Sequence, residues 1–406
     1  MDFRDSVEES IFRSEARAWF ERMAARFDLA THPGMTFEEQ LRLGREFQAE
    51  KAAAGYAKPE WSHAHGGRDA SAVESVICAE EERRFTFPNK FFAIGLGMPI
   101  PIMRRYASAA DRERFLGPAL RGEEIWCQLF SEPTAGSDLG AVRLRADRNG
   151  DKWILNGQKI WTSWAHVADF GTILARSDPS LPKHAGLTFF YVDMKTPGIS
   201  VRQINQMSGA REFCEVFFTD VRIPDTNRLG EVNGGWRVTV DTLMEERFTL
   251  QDPTYGAPPL TVAMKFLRDN VSSEGATGLD DGALRERFAE WYCIEQGLRN
   301  IYARMVTALS RGSVPGPEAA LTKLVLASKV QAYSAAMIDA NGPAGVITVD
   351  KEMPGSAGCF CDVWLQSAGM RIAGGTDEIL RNTIAERVLL LPAEIRTDKN
   401  VAFSDL

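Results

Sequence analysis

A chain of 406 residues with 44% hydrophobic and 25% charged positions is long enough to bury a sizeable core and lacks the compositional marks of disorder. Its net charge of −8, with no long Lys/Arg run, excludes an extended nucleic-acid or anionic-membrane surface, so any polyanionic ligand must be met locally. The six cysteines form no CxxC pair and sit among apolar neighbours, which points to buried free thiols in a reducing, cytoplasmic setting.

In chain order, residues 1–24 are charged throughout with Ile11, Ala16, Phe20 and Met23 at helical spacing, which is neither a signal peptide nor a membrane span. The helical period continues to residue 123, broken at "HPGM", "KPEWSHAHGGRDAS" and "FPNK". "EEERR" at 80–84 carries both signs and reads as a solvated helix face. From Trp126 the period changes to two. Asn149-Gly150 and Asn156-Gly157 are both tight-turn dipeptides, and "FGTILAR", "LTFFYVDM", "ISVRQI" and "CEVFFTDVRIP" read as further strands of an antiparallel β domain. After "GEVNGGW" the helical period returns. Leu284, Phe288, Trp291, Ile294, Leu298, Ile301, Met305 and Leu309 form one long apolar stripe, the mark of a bundle helix, and later helices start near Pro317 and Thr376. The reading is a helical domain over 1–123, a β domain over 124–233 and a helical bundle over 234–406. No low-complexity linker separates them, so they are expected to pack as one unit.

No GxGxxG follows a strand and no GxxxxGK[ST] is present, so Rossmann and P-loop sites are excluded. The five histidines lie in polar, loop-like stretches without metal-ligand spacing and read as surface residues. Three stretches carry more than folding. "CQLFSEPTAGSDLG" turns a strand into a loop of short residues, Ser131, Pro133, Thr134, Gly136 and Ser137, whose N–H and O–H groups suit a heterocycle or phosphate. "QKIWTSWAH" flanks Thr162 and Ser163 with Trp161 and Trp164, aromatics able to stack on a flat ring beside hydroxyls. "RIAGGTDEILRN" places Gly374-Gly375 before a Thr376 cap, with Asp377 and Glu378 at the positive end of a helix. Each alone is more often an ordinary turn, strand end or cap.

In this order and spacing, these stretches, with "WSHAHGGRDAS", "EVFFTDVRIP" and "IAGGTDEILRNTIAERVLLLP", resemble the acyl-CoA dehydrogenase family nearly from end to end. The resemblance implies a helical domain, a middle β-barrel and a C-terminal four-helix bundle. It also implies bound FAD, oxidation of an acyl-CoA thioester to the 2,3-enoyl-CoA, and electron-transferring flavoprotein as acceptor. It implies cofactor contacts from Phe130, Ser131, Trp161, Thr162 and Ser163, and from Gly375, Thr376 and Glu378 across a subunit interface of a homodimer or tetramer. Ser137, Met244, Arg247, Gly374 and Gly375 would meet the substrate, with Ser137 also near the cofactor.

Such a dehydrogenation needs a desolvated carboxylate to take the α proton, because an aqueous glutamate is too weak a base. Many family members place that glutamate just before the Gly-Thr of the C-terminal signature, where this chain has Gly374. Another branch, including isovaleryl-type enzymes, carries it within Leu-x-x-Glu-Arg on the first helix after the β domain. Leu243-Met244-Glu245-Glu246-Arg247 reproduces that pattern, making Glu246 the candidate base and Glu245, about 100° round the helix, the runner-up.

Two family features are missing. The Arg-x-x-Phe-Gly and Gln-x-x-Gly-Gly segments that serve the neighbouring subunit's FAD are replaced by "GALRERFAEWYC" and "MIDANGPAGV", so Arg285 or Arg287 would substitute, and Asp339 stands near the Gln position. This leaves open a heteromer with a related chain, as in actinobacterial relatives acting on steroid side-chain thioesters, with this chain as a flavin-poor or non-catalytic subunit. A flavin monooxygenase on the same fold is disfavoured by Glu246.

Overall fold

The computed structural model describes residues 5–249, 258–269, 277–311, 316–317, 319–346, 357–395 and 397–406; the side chains of 246–249, 309, 310, 319 and 357 lie outside this description. Twelve helices are described: α1 Val7–Phe27, α2 Phe37–Ala53, α3 Ala72–Glu82, α4 Lys90–Gly97, α5 Pro99–Tyr106, α6 Ala109–Leu120, α7 Gly235–Thr249, α8 Leu260–Asp269, α9 Gly282–Ser310, α10 Ala319–Ala340, α11 Ala357–Ile372 and α12 Asp377–Arg387. Local sequence sets several starts. Ser6, Thr36 and Ser71 each stand three residues before a glutamate and close full capping boxes on α1, α2 and α3.

The buried face of α1 differs by a fraction of a turn from the expected one. Phe12, Ala16, Phe20 and Phe27 are buried and Ile11 is exposed, because the aromatic side chains fill the space against Phe47, Tyr56 and Phe87.

Seven strands follow: β1 Trp126–Leu129, β2 Arg145–Asn149, β3 Lys152–Ser163, β4 Phe170–Arg176, β5 Leu187–Asp193, β6 Ile199–Gln203 and β7 Phe213–Pro224. They form one sheet in the order β1-β4-β2-β3-β7-β6, with β5 also paired to β4. The sheet is antiparallel except where β1, and the start of β2, run parallel to β4. Asn149-Gly150 makes the expected hairpin, with Asn149 opposite Lys152. Asn156-Gly157 does not. It lies inside β3, where the register shifts between Leu155 and Gly157. Gly157 has φ +145°, and a Cβ there would stand 2.8 Å from Leu144 Cα, so the glycine serves a bulge.

Two compact units result: residues 1–246 with 394–406, and residues 247–393. In the first, the helices and the sheet share their cores. Phe91 and Phe92 of α4 pack with Trp153, Phe190 and Val216, while Ile100, Met103 and Leu116 pack with Trp126, Leu174 and Phe189. The second unit is helical. Leu284, Phe288 and Trp291 of α9 pack with α8 and with Tyr333, Met337 and Phe360, and Leu298 packs with Leu326 and Val330. Leu309, the last member of the expected stripe, has its side chain outside the description.

All described cysteines are free thiols, but Cys293 is exposed and Cys359 half-buried, against the expectation of uniform burial. Among the described residues no helix is long and apolar enough to cross a membrane.

Candidate active site

The loop after β1 is held from beneath. Glu132 is buried: one carboxylate oxygen accepts from the Arg143 amide at 2.6 Å and the other from the Leu144 amide at 2.9 Å. Lys159 of β3, also fully buried, donates to Glu132 at 2.8 Å and to the Phe130 carbonyl at 2.9 Å. Burial pushes the Lys159 ammonium below its usual range, and Glu132 opposes that shift. The Ile160 amide donates to the Ser131 carbonyl at 2.9 Å, and Glu132 and Ala135 exchange two backbone hydrogen bonds across Pro133-Thr134. The loop and the end of β3 are thus one construction. Phe130 lies buried, edge-on to Phe189 at 5.7 Å; Ser131 is half-buried; Gly136 and Ser137 are exposed.

The strand end is re-aimed by a second bulge. Trp153, Leu155 and Lys159 alternate inward along β3, and continuing that period would bury Trp161. The register shifts between Lys159 and Thr162, and Trp161 takes φ +60°. As a result Trp161 is 54% exposed and Thr162 is buried with no hydrogen-bond partner for its hydroxyl among the described residues. Ser163 is half-buried opposite Phe213. Trp164 parts company with Trp161: it packs on Phe37 and Phe91, at 6.1 and 5.0 Å between ring centroids, as a core residue.

His166 corrects the surface reading of the histidines. It is half-buried beside Phe37 and Trp164, with Nδ1 3.4 Å from Cys214 Sγ, and burial holds its pKa down. His184 likewise packs on Trp236. Among the described residues no cluster of His, Cys, Asp or Glu could hold a metal ion.

Helix α7 carries the candidate bases. Its first turns are tied to the helical domain: Tyr106 donates a short hydrogen bond to Asp241, and Arg105 pairs with the same carboxylate at 3.1 Å. One turn on, Glu245 is half-buried, and burial raises its pKa; Lys58 and Arg105 oppose the shift while Glu60 and Asp241 add to it. Glu245 therefore faces groups of the helical domain. Met244 is half-buried, and Leu243 packs on the core. Glu246 and Arg247 lie on this helix, but their side chains are outside the described residues.

In the second unit, Gly374 and Gly375 take φ +61° and +93°, the left-handed geometry that ends α11 and opens α12. That requirement is local and stands apart from any ligand. Thr376 caps α12 by accepting from the Ile379 amide at 3.2 Å, and Lys323 donates to the Gly375 carbonyl at 2.5 Å. Asp377 is buried on Arg371 at 2.6 Å, whereas Glu378 is exposed, its pKa lowered by backbone and Thr376 hydrogen bonds. Arg285, Arg287 and Asp339 are all exposed.

Residues 6–123, 127–221 and 233–389 match, in order, the N-terminal, middle and C-terminal domains of acyl-CoA dehydrogenase. The chain belongs to the acyl-CoA dehydrogenase family. Acyl-CoA dehydrogenase IpdE1 of Mycolicibacterium smegmatis is 33% identical over 416 residues, covering 96% of this chain and 100% of that protein. Acyl-CoA dehydrogenase FadE34 of Mycobacterium tuberculosis is 34% identical over 345 residues, 85% of this chain, and the match spans only 46% of FadE34. Among solved structures, a Tcur3481-Tcur3483 steroid ACAD superposes with a TM-score of 0.81 at 26% identity, covering 97% of this chain and 100% of that one. The ChsE4-ChsE5 complex from Mycobacterium tuberculosis gives 0.79 at 25% identity, with 97% and 100% covered.

As a member of the acyl-CoA dehydrogenase family the chain is an oxidoreductase with FAD as its cofactor. Its residues fit that group: an exposed indole at Trp161 and a loop of short polar residues are brought together by the Ile160–Ser131 hydrogen bond. Sequence reasoning found the loop and the tryptophan but missed Glu132 and Lys159, which hold them. The available signal was a lysine at an inward position of an alternating strand, which demands a buried acid.

Proposed function

We propose that this acyl-CoA dehydrogenase family member removes the α proton and the β hydride of an acyl-CoA thioester, giving the 2,3-enoyl-CoA, with Glu246 as base. The observation that carries this reading is the ordered match of all three domains, with the loop after β1 and the end of β3 locked together by Glu132 and Lys159. FAD, when bound, supplies the hydride acceptor. Phe130, Ser131, Trp161, Thr162 and Ser163 would hold the cofactor, with Gly375, Thr376 and Glu378 contributing from a second subunit across the interface. Ser137, Met244, Arg247 and Gly374 would meet the thioester. Glu246 takes the α proton onto its carboxylate, a role that requires exclusion of water to make a carboxylate basic enough. Glu246 is assigned from the Leu-x-x-Glu-Arg pattern; Glu245, half-buried with its pKa raised by burial, meets the same chemical requirement and is the alternative base.

The names of two similar structures, a steroid ACAD and a two-chain complex, support bulky thioesters as substrates and assembly with a related chain as a second reading; the first keeps a homodimer or tetramer. Cytoplasmic location and electron transfer to an electron-transferring flavoprotein complete the proposal. Anaerobic titration of the flavin-loaded protein with acyl-CoAs, from short branched chains to steroid acids, tests it. Bleaching is expected, and Glu246→Gln should slow it by about 10²–10⁴-fold while still binding ligand. A comparable loss in Glu245→Gln, with Glu246→Gln fully active, would move the base. Colourless protein that gains activity only on co-expression with a related chain would favour the second reading.

A further inference from the structure

The segment after residue 396 returns to the β domain and closes on the loop at Ser137-Asp138. The Phe403 amide donates to the Leu181 carbonyl at 2.9 Å, the Ser404 amide donates to the Pro179 carbonyl at 2.8 Å, and Ala402 bridges Pro182 in antiparallel fashion. Arg176, at the end of β4, lies under the buried Phe403 ring, 3.8 Å from its centroid. The same guanidinium donates to the Gly140 carbonyl at 2.6 Å and the Lys183 carbonyl at 2.7 Å. Lys183 is 7% exposed and joins the two ends: its ammonium meets Asp398 at 2.7 Å and Asp138 at 2.9 Å. Asp138 is the residue after Ser137, where the loop after β1 ends and a short 3-10 turn, Leu139–Ala141, begins.

A fully surface-laid segment would need none of this. A buried ammonium shared by two carboxylates, and an arginine capped by a ring, make the loop's geometry depend on a distant stretch of chain. We propose that Asp398–Ser404 is a strap that holds the Ser137-Asp138 end of the loop in place for the thioester, with Lys183 as the positioning residue. The link to the thioester rests on the function proposed above; the strap itself does not.

The experiment reads both. Hydrogen exchange across 136–141 is followed in the chain without thioester, and KM and kcat are measured for steady-state oxidation of the thioester by the flavin-loaded enzyme with an added artificial electron acceptor that reoxidises the flavin. Asp398→Asn, Lys183→Met and deletion of 398–406 should each speed exchange across 136–141 by about tenfold or more, a local opening that spares α1 to α3. KM should rise by about tenfold with kcat within about twofold, the mark of lost uniform binding. Lys183→Arg should restore both. Unchanged exchange in Asp398→Asn and in the deletion, or exchange rising throughout the unit, overturns the strap. Faster exchange with an unchanged KM overturns its role in substrate binding. If no thioester bleaches the wild-type enzyme while Asp398→Asn still loosens 136–141, the proposed reaction fails and the strap stands.

Discussion

Lys159 has no access to water, and it is tolerable only because Glu132 and the Phe130 carbonyl accept its hydrogen bonds. Replacing such a pair by apolar groups can be neutral, but removing one partner strands the other. Lys159→Met should therefore cost about 3–5 kcal/mol in urea unfolding and release the loop that carries Ser131. Recovery of most of that loss in the double variant Lys159→Met with Glu132→Gln would show coupling; additive losses would show two independent sites. Thr162 stands in contrast. Its buried hydroxyl has no partner among the described residues, a state costing about 1–3 kcal/mol.

Between elements, the contact of α1 with α3 runs through Glu81, the single buried acid in what reads as a solvated charge run. Burial works against its charge, but Arg17, Arg13 and Arg84 hydrogen-bond to it and together bring its pKa down to about 2. A carboxylate with a folded pKa below its ordinary 4.5 contributes stability that is present above that pH and is lost as pH falls toward about 2. Glu81→Gln should destabilise the chain near neutral pH, and the gap from wild type should close as pH is lowered through that window. A gap independent of pH in unfolding titrations would show that Glu81 acts by packing alone. The bulges of β3 belong to the same scale. Gly157 was legible as a turn and is instead a bend within a strand, because Asn156 pairs with Asp220 across the sheet and holds the strand together there.

For the whole molecule, a cofactor that binds only the folded state should raise stability by mass action. FAD at about 100 times its dissociation constant should add about 2.7 kcal/mol. A thermal midpoint that does not move with added FAD in the isolated chain, but does after co-expression with a related chain, would assign the cofactor site to a heteromer. Replacement of the expected Arg and Gln segments by exposed Arg285, Arg287 and Asp339 makes this measurement informative, since a carboxylate near a pyrophosphate is unfavourable.

The order of helical, β and helical segments, the Thr376 cap of α12, the apolar stripe of α9 and the family itself were all readable along the chain. They depend on periodicity and on short motifs, which are local properties of sequence. The face of α1, the outward turn of Trp161, the burial of Glu132 with Lys159 and the pairing of Asp398 with Lys183 were not. Each depends on which distant groups meet and on whether water is excluded when they do, and only the folded chain sets that.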